Sequence, residues 1–279
     1  MSYNLQKLKT FSESVRFFVQ ARHKDTGGFA ATRNLPVTIE DTYHAINILC
    51  LLDECTTQLD DSVYNIKKDK ALLDYLQSQL HQLSDETKTS FQLLKTALTV
   101  GLDIDKIATI KYVSLHLNHP FSMQRWYYLA RIAREVLDVE PMEIPGFLKG
   151  MGYLGGRTVN EAWMSLYLAR SKGGHDLKDG ELISWFRACQ NGDGGFGFLP
   201  DTTSYIENCY VCLRALASLG AEPKNIKGAL DFVIGCHTGA GGFARSGRAA
   251  PFLDATWYAV ASISIIAIRF GYRTDYCSR

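Results

Sequence analysis

Residues 27–43 read GGFAATRNLPVTIEDTY, and two later stretches of the chain repeat this pattern. A second GGF at 194–196 is followed by ENCY at 207–210, and a third at 241–243 by DATW at 254–257. The first glycine precedes the acidic residue by 13 positions in every copy. Self-similar segments separated by a fixed internal spacing indicate a repeat architecture.

Each repeat is predicted to contain two helices of different character. Apolar residues at helical spacing precede the Gly-Gly pair, as in Phe11, Val15 and Phe18, which is typical of an amphipathic outer helix. The glycine pair is expected to end that helix. The run that follows the acid is almost free of charge, because residues 255–268 carry none and residues 209–219 carry only Arg214. A helix that is apolar all round is buried, so we expect an inner helix there.

Six outer–inner helical hairpins can be placed on this basis, in a single domain over residues 1–279. Neither end of the array carries the polar capping repeat that an open solenoid needs. The sequence therefore predicts an all-α closed α/α toroid whose inner helices line a central cavity and begin at one mouth. The predicted pairs are 5–22 with 38–53, 66–81 with 84–100, 104–117 with 121–137, 142–151 with 159–171, 180–190 with 205–219, and 226–237 with 252–270.

Composition narrows the classes of function. The chain has 279 residues, 46% of them hydrophobic, and a formal net charge of +1, which argues against nucleic acid as a partner. Its longest apolar run is too short to span a bilayer, although peripheral membrane contact stays open. The seven cysteines, an odd number, are interpreted as reduced thiols of a cytoplasmic protein.

The Gly-Gly-Phe motif, the 13-residue spacing and the acid-x-x-aromatic helix start resemble the prenyltransferase and squalene-cyclase repeat family. That resemblance implies a toroid of about six helical hairpins with an isoprenoid-binding centre. The family includes protein prenyltransferase β subunits and the toroid domains of class II terpene cyclases, so it leaves two kinds of reaction open.

The transferase comparison rests on a zinc motif. By that resemblance, Glu207 and Cys209 stand where the transferases have Asp-x-Cys, and Asp254 stands where they have a third, histidine ligand. Asn160 replaces their diphosphate-binding histidine, and residues 125–128 match their Arg-x-x-Tyr element. The chain would then be a β subunit with a degenerate zinc site that takes a prenyl diphosphate and a second helical subunit.

The cyclase comparison rests on the acidic motif Asp-x-Asp-Asp-Thr, whose middle carboxylic acid protonates the substrate. Residues 251–256 keep only the middle acid, Asp254, and residues 38–42 keep two acids, Glu40 and Asp41. A helix-capping role competes for these acids, because Ser204 with Glu207 and Thr38 with Asp41 have capping-box spacing. Asp254 lacks such a partner. Pro251 suits the first helical position, which would place Asp254 about one turn into the helix.

Aromatic residues cluster near the predicted starts of the inner helices. Aromatic faces stabilise cations and bury isoprenoid chains, although some of these side chains must serve helix packing. Arg125 would hold an anionic group near the mouth. The predicted substrate-binding residues are Arg125, Trp126, Tyr128, Asn160, Trp163, Glu207, Cys209, Tyr210, Trp257 and His44.

Three functions follow from these patterns. The first is a terpene-cyclase-like enzyme in which Asp254, with Glu40 and Asp41 as further candidate acids, starts the cyclisation of a polyisoprenoid without a cofactor. The second is the prenyltransferase β subunit described above, with zinc or magnesium and a partner subunit or homodimer. The third is a non-catalytic toroid that binds an apolar ligand or a protein.

Overall fold

A computed structural model describes residues 2–54, 65–120, 122–139, 158–170, 179–247 and 249–271, with side chains from residue 11 onward. These residues form eleven helices, and β-structure among them is limited to isolated bridges. The helices are α1 (Ser2–Gln20), α2 (Ile39–Glu54), α3 (Lys70–Leu80), α4 (Thr87–Val100), α5 (Lys106–Leu117), α6 (Met123–Glu135), α7 (Val159–Arg170), α8 (Asp179–Ala188), α9 (Ile206–Ser218), α10 (Ile226–Gly235) and α11 (Leu253–Arg269).

Six of these helices form a closed inner ring. In the order α2, α4, α6, α7, α9 and α11, each helix packs against the next, and α11 also packs against α2. The outer helices α1, α3, α5, α8 and α10 pack against α2, α4, α6, α9 and α11 respectively. The predicted all-α closed toroid is therefore confirmed. The outer helix predicted over residues 142–151 lies outside the described residues.

The inner helices are buried on nearly all sides, as their uncharged sequences predict. In α2, for example, Ala45, Ile46, Ile48 and Leu49 are all at most 1% exposed. The five consecutive residues from Thr42 to Ile46 are all buried, and at 3.6 residues per turn they cover every side of α2. Burial of each large apolar side chain contributes roughly 1.5–3 kcal/mol relative to its exposure.

The Gly-Gly pairs do not end the outer helices, contrary to the sequence-based expectation. Helix α1 ends at Gln20, and the Gly-Gly pair that follows sits in a tight loop bridged by His23 and Phe29. Gly27 has a φ of +86°, and a Cβ atom there would lie 2.0 Å from the carbonyl oxygen of Ala71 in α3. Glycine is therefore required by a left-handed backbone and by close contact with the outer helix of the next pair.

The same contact recurs around the ring and closes it. Gly194 in the loop after α8 approaches Gly228 of α10, and Gly241 in the loop after α10 approaches Ser14 of α1. Each of these loops thus rests on the outer helix of the following pair, and the last loop rests on the first helix.

The constant spacing of 13 residues also has a structural cause. The Oγ1 atom of Thr42 accepts a hydrogen bond from the backbone N–H of Phe29, 3.0 Å away, and donates one to the carbonyl of Thr38. Thr256 makes the equivalent bond to the N–H of Phe243. The second copy has Cys209 at this position. One side chain in the first turn of the inner helix therefore fastens the Gly-Gly-Phe loop.

Candidate functional site

The N-termini of the inner helices meet at one mouth of the ring, as predicted. Two cavities lie there, of about 570 and 460 Å³. Both are lined by Glu40, Asp254 and Arg245, so they form one site across α2, α11 and the loop before α11. The second cavity is also lined by Asn160 of α7 and Glu207 of α9. The mouth thus brings together five of the predicted site residues, Glu40, Asp41, Asn160, Glu207 and Asp254.

Four carboxyl groups line the mouth, those of Glu40, Asp41, Glu207 and Asp254, and they have different partners. Glu40 pairs with Lys88 of α4 at 2.6 Å, and Glu207 pairs with Arg245 at 2.7 Å. Asp254 accepts a hydrogen bond of 2.7 Å from the backbone N–H of Ala255. Among the described residues, no basic side chain forms an ion pair with Asp254. Asp254 and Asp41, whose carboxylate accepts a hydrogen bond from Thr38, are therefore the two mouth carboxyl groups outside the ion pairs of the described residues.

His44 sits beneath these acids and influences Glu40. Its ring lies between Tyr43 and Tyr258, and only 3% of the residue is exposed. The imidazole of His44, 3.8 Å away, together with Lys88, outweighs the effect of burial and lowers the pKa of Glu40 to about 2. Glu40 is therefore an anion over the whole neutral range and a poor proton donor.

One of the two expected capping boxes is present. The backbone N–H of Asp41 donates to Thr38 Oγ1 at 2.9 Å, and the Thr38 hydroxyl donates to the Asp41 carboxylate. The second box was expected between Ser204 and Glu207. The Ser204 hydroxyl donates to Asp193 instead, and Tyr205 is the N-cap residue of α9, so Ser204 does not cap that helix. The carboxylate of Glu207 reaches the mouth because Arg245 attracts it there.

Asp254 lies closer to the start of its helix than the sequence suggested. Helix α11 begins at Leu253, and Pro251 lies before the N-cap residue Phe252 rather than at the first helical position. Asp254 is the second helical residue. A carboxylate there interacts favourably with the helix dipole, so a structural contribution accompanies any chemical role.

Cys209 does not face the mouth. Its sulfur accepts a hydrogen bond from the backbone N–H of Phe196, as Thr42 does in the first repeat, and burial raises the pKa of its thiol. Metals bind the thiolate form, which burial disfavours. Nowhere in the described ranges do three His, Cys, Asp or Glu side chains lie close enough to hold a metal ion. The surroundings of Cys209 therefore do not fit a zinc site with Glu207 and Asp254.

Below the mouth, aromatic rings from all six inner helices surround the axis. Phe91 of α4 stands 5.7 Å from Tyr128 of α6, and Tyr210 of α9 stands 5.4 Å from Tyr258 of α11. We call these rings the aromatic layer. Its members are Tyr43, Phe91, Tyr127, Tyr128, Trp163, Tyr210, Trp257 and Tyr258.

Two predicted residues lie elsewhere. Trp126 is 8% exposed and belongs to the same hydrophobic core as Trp163, and it is not among the residues that line the two mouth cavities. Arg125 donates a hydrogen bond to the carbonyl of Pro120 and is not among the residues that line the two mouth cavities.

The sequence analysis missed a charged cluster beneath the aromatic layer. Arg131 and Glu135 of α6 form a bidentate ion pair with distances of 2.6 and 3.0 Å. Arg214 of α9 donates to the hydroxyl of Tyr210 at 2.9 Å. The signal was present, because Arg214 is the single charge in its apolar run and Arg131 and Glu135 lie four residues apart on one helix face.

Comparison with protein families agrees with this architecture. The family model described as "Prenyltransferase alpha-alpha toroid domain" matches residues 3–106 and 158–277. None of the curated proteins matches the sequence. No helix in the described part of the chain has both the length and the apolar character needed to cross a membrane.

Proposed function

We propose, from the premise that this chain belongs to the prenyltransferase α/α toroid family, that it is an isoprenoid-processing enzyme of the terpene-cyclase type. Family membership supports an isoprenoid-related function in general. The choice of a cyclase rests on the mouth, where Asp254 lies against a cavity without a cationic partner among the described residues.

The proposed reaction starts with proton transfer from Asp254. The carboxylic proton adds to an alkene carbon of the substrate, which leaves a carboxylate on Asp254 and a carbocation on the substrate. A neighbouring cation favours the ionised form of a carboxyl group, and such a neighbour is present for Glu40 and Glu207. Asp254 and Asp41 lack such a neighbour, and we assign the proton donor to Asp254 because it lines both mouth cavities, whereas Asp41 lines one and is held by Thr38.

The aromatic layer supports the next steps. A carbocation that moves along the folded chain is stabilised by the faces of aromatic rings. Rings from α2, α4, α6, α7, α9 and α11 surround the axis below Asp254. Loss of a proton from the cyclised cation to water or to a mouth carboxylate would complete the reaction.

The surroundings of Cys209 favour this proposal over the transferase alternative. Prenyl transfer to a thiol by the zinc-dependent route needs a metal at the mouth, and the thiol of Cys209 is turned toward the Gly-Gly-Phe loop. No step of the proposed reaction uses a metal.

The experiment that tests the proposal compares two isosteric variants, Asp254→Asn and Glu207→Gln. Purified protein is incubated with linear polyprenes and their epoxides of different lengths, and products are identified by gas chromatography with mass spectrometry. We expect wild type to form cyclic products, Asp254→Asn to lose at least 100-fold in rate, as for loss of a general acid, and Glu207→Gln to keep most activity. Full activity of Asp254→Asn would disprove the assignment.

A further inference from the structure

The outward face of helix α5 is apolar. Ile107 and Leu115 are 68% and 61% exposed, and Ile110 between them is exposed as well. On the outer helix α3, by contrast, the exposed residues are all polar, namely Lys70, Asp74, Gln77, Ser78 and Gln79. The water-facing side of an outer helix is normally polar, and a contiguous exposed apolar patch marks an interaction surface. We call Ile107, Ile110 and Leu115 the α5 face.

A groove adjoins the α5 face on the side of α3. It has a volume of about 520 Å³, and its apolar lining consists of Leu80, Leu83, Leu94, Ile104, Ala108 and Leu115. Because Leu115 belongs to both, the α5 face and the groove form one continuous surface.

The groove lies where the ring lacks a Gly-Gly-Phe loop. The loops after α1, α8 and α10 rest on α3, α10 and α1 respectively. The connection after α3 spans only residues 81–86 and carries no Gly-Gly-Phe motif that could rest on α5. The family model matches residues 3–106 and 158–277. The α5 face therefore lies outside the part of the chain that the family model describes.

Two charges of opposite sign border the α5 face. Asp103 and Lys111 both line the groove, and neither forms an ion pair with another of the described residues. The third charged residue, Asp105, is the N-cap of α5 and accepts a hydrogen bond of 2.9 Å from the backbone N–H of Ala108. Asp103 and Lys111 lie eight positions apart in the sequence, with Ile107 midway between them.

This order of residues is complementary to itself across a two-fold axis. When two copies of a helix pack antiparallel about such an axis, residue i of one copy faces residue j of the other, and residue j faces residue i. With the axis at Ile107, Lys111 faces Asp103 of the second copy, and the same pair forms again on the other side of the axis. Ile110 then faces Ile104 of the second copy, so apolar residues meet between the two charged pairs.

The remaining positions do not oppose this pairing. Lys106 faces Ala108 of the second copy, and Asp105 faces Thr109, so no like charges meet. The formal net charge of the chain is only +1, which gives little long-range repulsion between copies.

We propose that the α5 face and the adjoining groove form the two-fold interface of a dimer of this chain. Helix α5 packs antiparallel against α5 of the second copy about Ile107, and Lys111 pairs with Asp103 of the second copy on either side. The residues that line the two mouth cavities belong to neither α3 nor α5. The interface and the mouth are thus formed by different helices, and failure of one proposal leaves the other intact.

Analytical ultracentrifugation of the full chain at increasing concentration tests the proposal. We expect wild type to form a species of twice the chain mass of 31.2 kDa. Ile107→Glu places two carboxylates at the axis and should raise the dissociation constant of the dimer at least about 10-fold. Ile268→Glu is the matched control, because Ile268 of α11 is 63% exposed and lies outside the interface, and it should dimerise as wild type does.

Charge reversal tests the pairing of Lys111 with Asp103. Asp103→Lys and Lys111→Asp should each weaken the dimer, because like charges then face each other across the interface. The double variant should dimerise again, and a mixture of the two single variants should form a heterodimer.

A cysteine at the axis gives a readout that does not depend on affinity. Identical residues meet at a two-fold axis, so mild oxidation of Ile107→Cys should join two copies by a disulfide, which a non-reducing gel detects. Ile268→Cys, at a site of similar exposure, should stay uncrosslinked.

Each outcome decides for or against the interface. A monomeric wild type overturns the proposal and leaves the α5 face to a different partner. A dimer that survives Ile107→Glu also overturns it, since dimerisation then uses another surface. Loss of the dimer without rescue by the double charge reversal disproves the antiparallel pairing about Ile107. Circular dichroism shows whether the variants are folded, and if Ile107→Glu is not, the crosslink of Ile107→Cys decides.

Discussion

Ser14 Oγ in the first helix lies 3.4 Å from His237 Nε2, although 223 residues separate them in the sequence. Phe11 of α1 also packs edge-on against Phe243, with 5.6 Å between ring centres. These contacts join the first outer helix to the last Gly-Gly-Phe loop. Closure of the ring therefore depends on a loop packed against a helix as well as on the inner helices.

The glycine at the closing contact is expected to be essential for stability. In Gly241→Ala the new Cβ atom would lie 2.4 Å from the carbonyl oxygen of Ser14, in a residue with a φ of +89°. Gly101 has the same φ with open space around it, so Gly101→Ala isolates the cost of the left-handed backbone, about 1–2 kcal/mol. We expect Gly241→Ala to lose clearly more than that in urea denaturation. Equal losses would mean that the contact with α1 yields easily.

Acid should weaken the protein partly through Glu40. The folded-state pKa of Glu40, about 2, lies below its ordinary value of 4.5. Its contribution to stability is therefore fully present above about pH 4.5 and is lost as the pH falls toward 2. Thermal melting between pH 6 and pH 2 should show a smaller decline for Glu40→Gln than for wild type. Lys88→Met should move the loss to higher pH, and identical profiles for all three proteins would contradict the assignment.

The position of Cys209 predicts a conservative replacement. Threonine occupies the equivalent place in two other repeats, where its hydroxyl accepts the same loop N–H. We expect Cys209→Thr to fold with a free energy of unfolding within about 1 kcal/mol of wild type, the size of one hydrogen bond. We also expect elemental analysis of wild type to find no stoichiometric zinc. One zinc ion per chain that disappears in Cys209→Thr would reverse our interpretation of this residue.

Ligand length should matter up to a limit. Each buried methylene contributes roughly 0.8 kcal/mol, so the affinity for prenyl alcohols should rise with chain length while the added units contact the aromatic layer. The rise should stop when the chain reaches the ion pair of Arg131 and Glu135, because contact with charged groups does not favour an apolar chain. Fluorescence titration of a homologous series measures this limit. Affinity independent of length would argue against an apolar tunnel.

Much of the fold follows from the sequence, because hydrophobic periodicity and the repeated Gly-Gly-Phe motif are local signals. Ten of the twelve predicted helices start within three residues of the observed position, and α3 starts four residues later than predicted. Ring closure follows from the lack of polar end repeats. The need for glycine at position 27 could not be predicted, because it arises from close contact with the backbone of Ala71 in the outer helix of the next pair. A close approach between distant segments leaves no periodic pattern.

The site is less predictable, because it depends on which side chains meet across the ring. The sequence places Glu40, Glu207 and Asp254 at one level through their shared spacing, and the three do lie around one mouth. It does not reveal that Lys88 and Arg245 pair with two of them. Nor does it reveal that Arg131 of α6 and Arg214 of α9 lie near the same carboxyl group, that of Glu135.

The connections that lead into the inner helices differ in length around the mouth. Long loops join the outer helix to the inner helix in the pairs that contain α2, α9 and α11, over residues 21–38, 189–205 and 236–252. These three inner helices are neighbours in the closed ring. The connection before α4 spans only residues 81–86, and that before α6 only residues 118–122. The mouth is consequently bordered by long connections beside Glu207, Arg245 and Asp254 and by short ones before α4 and α6. We expect a long flexible chain to enter over the short connections before α4 and α6.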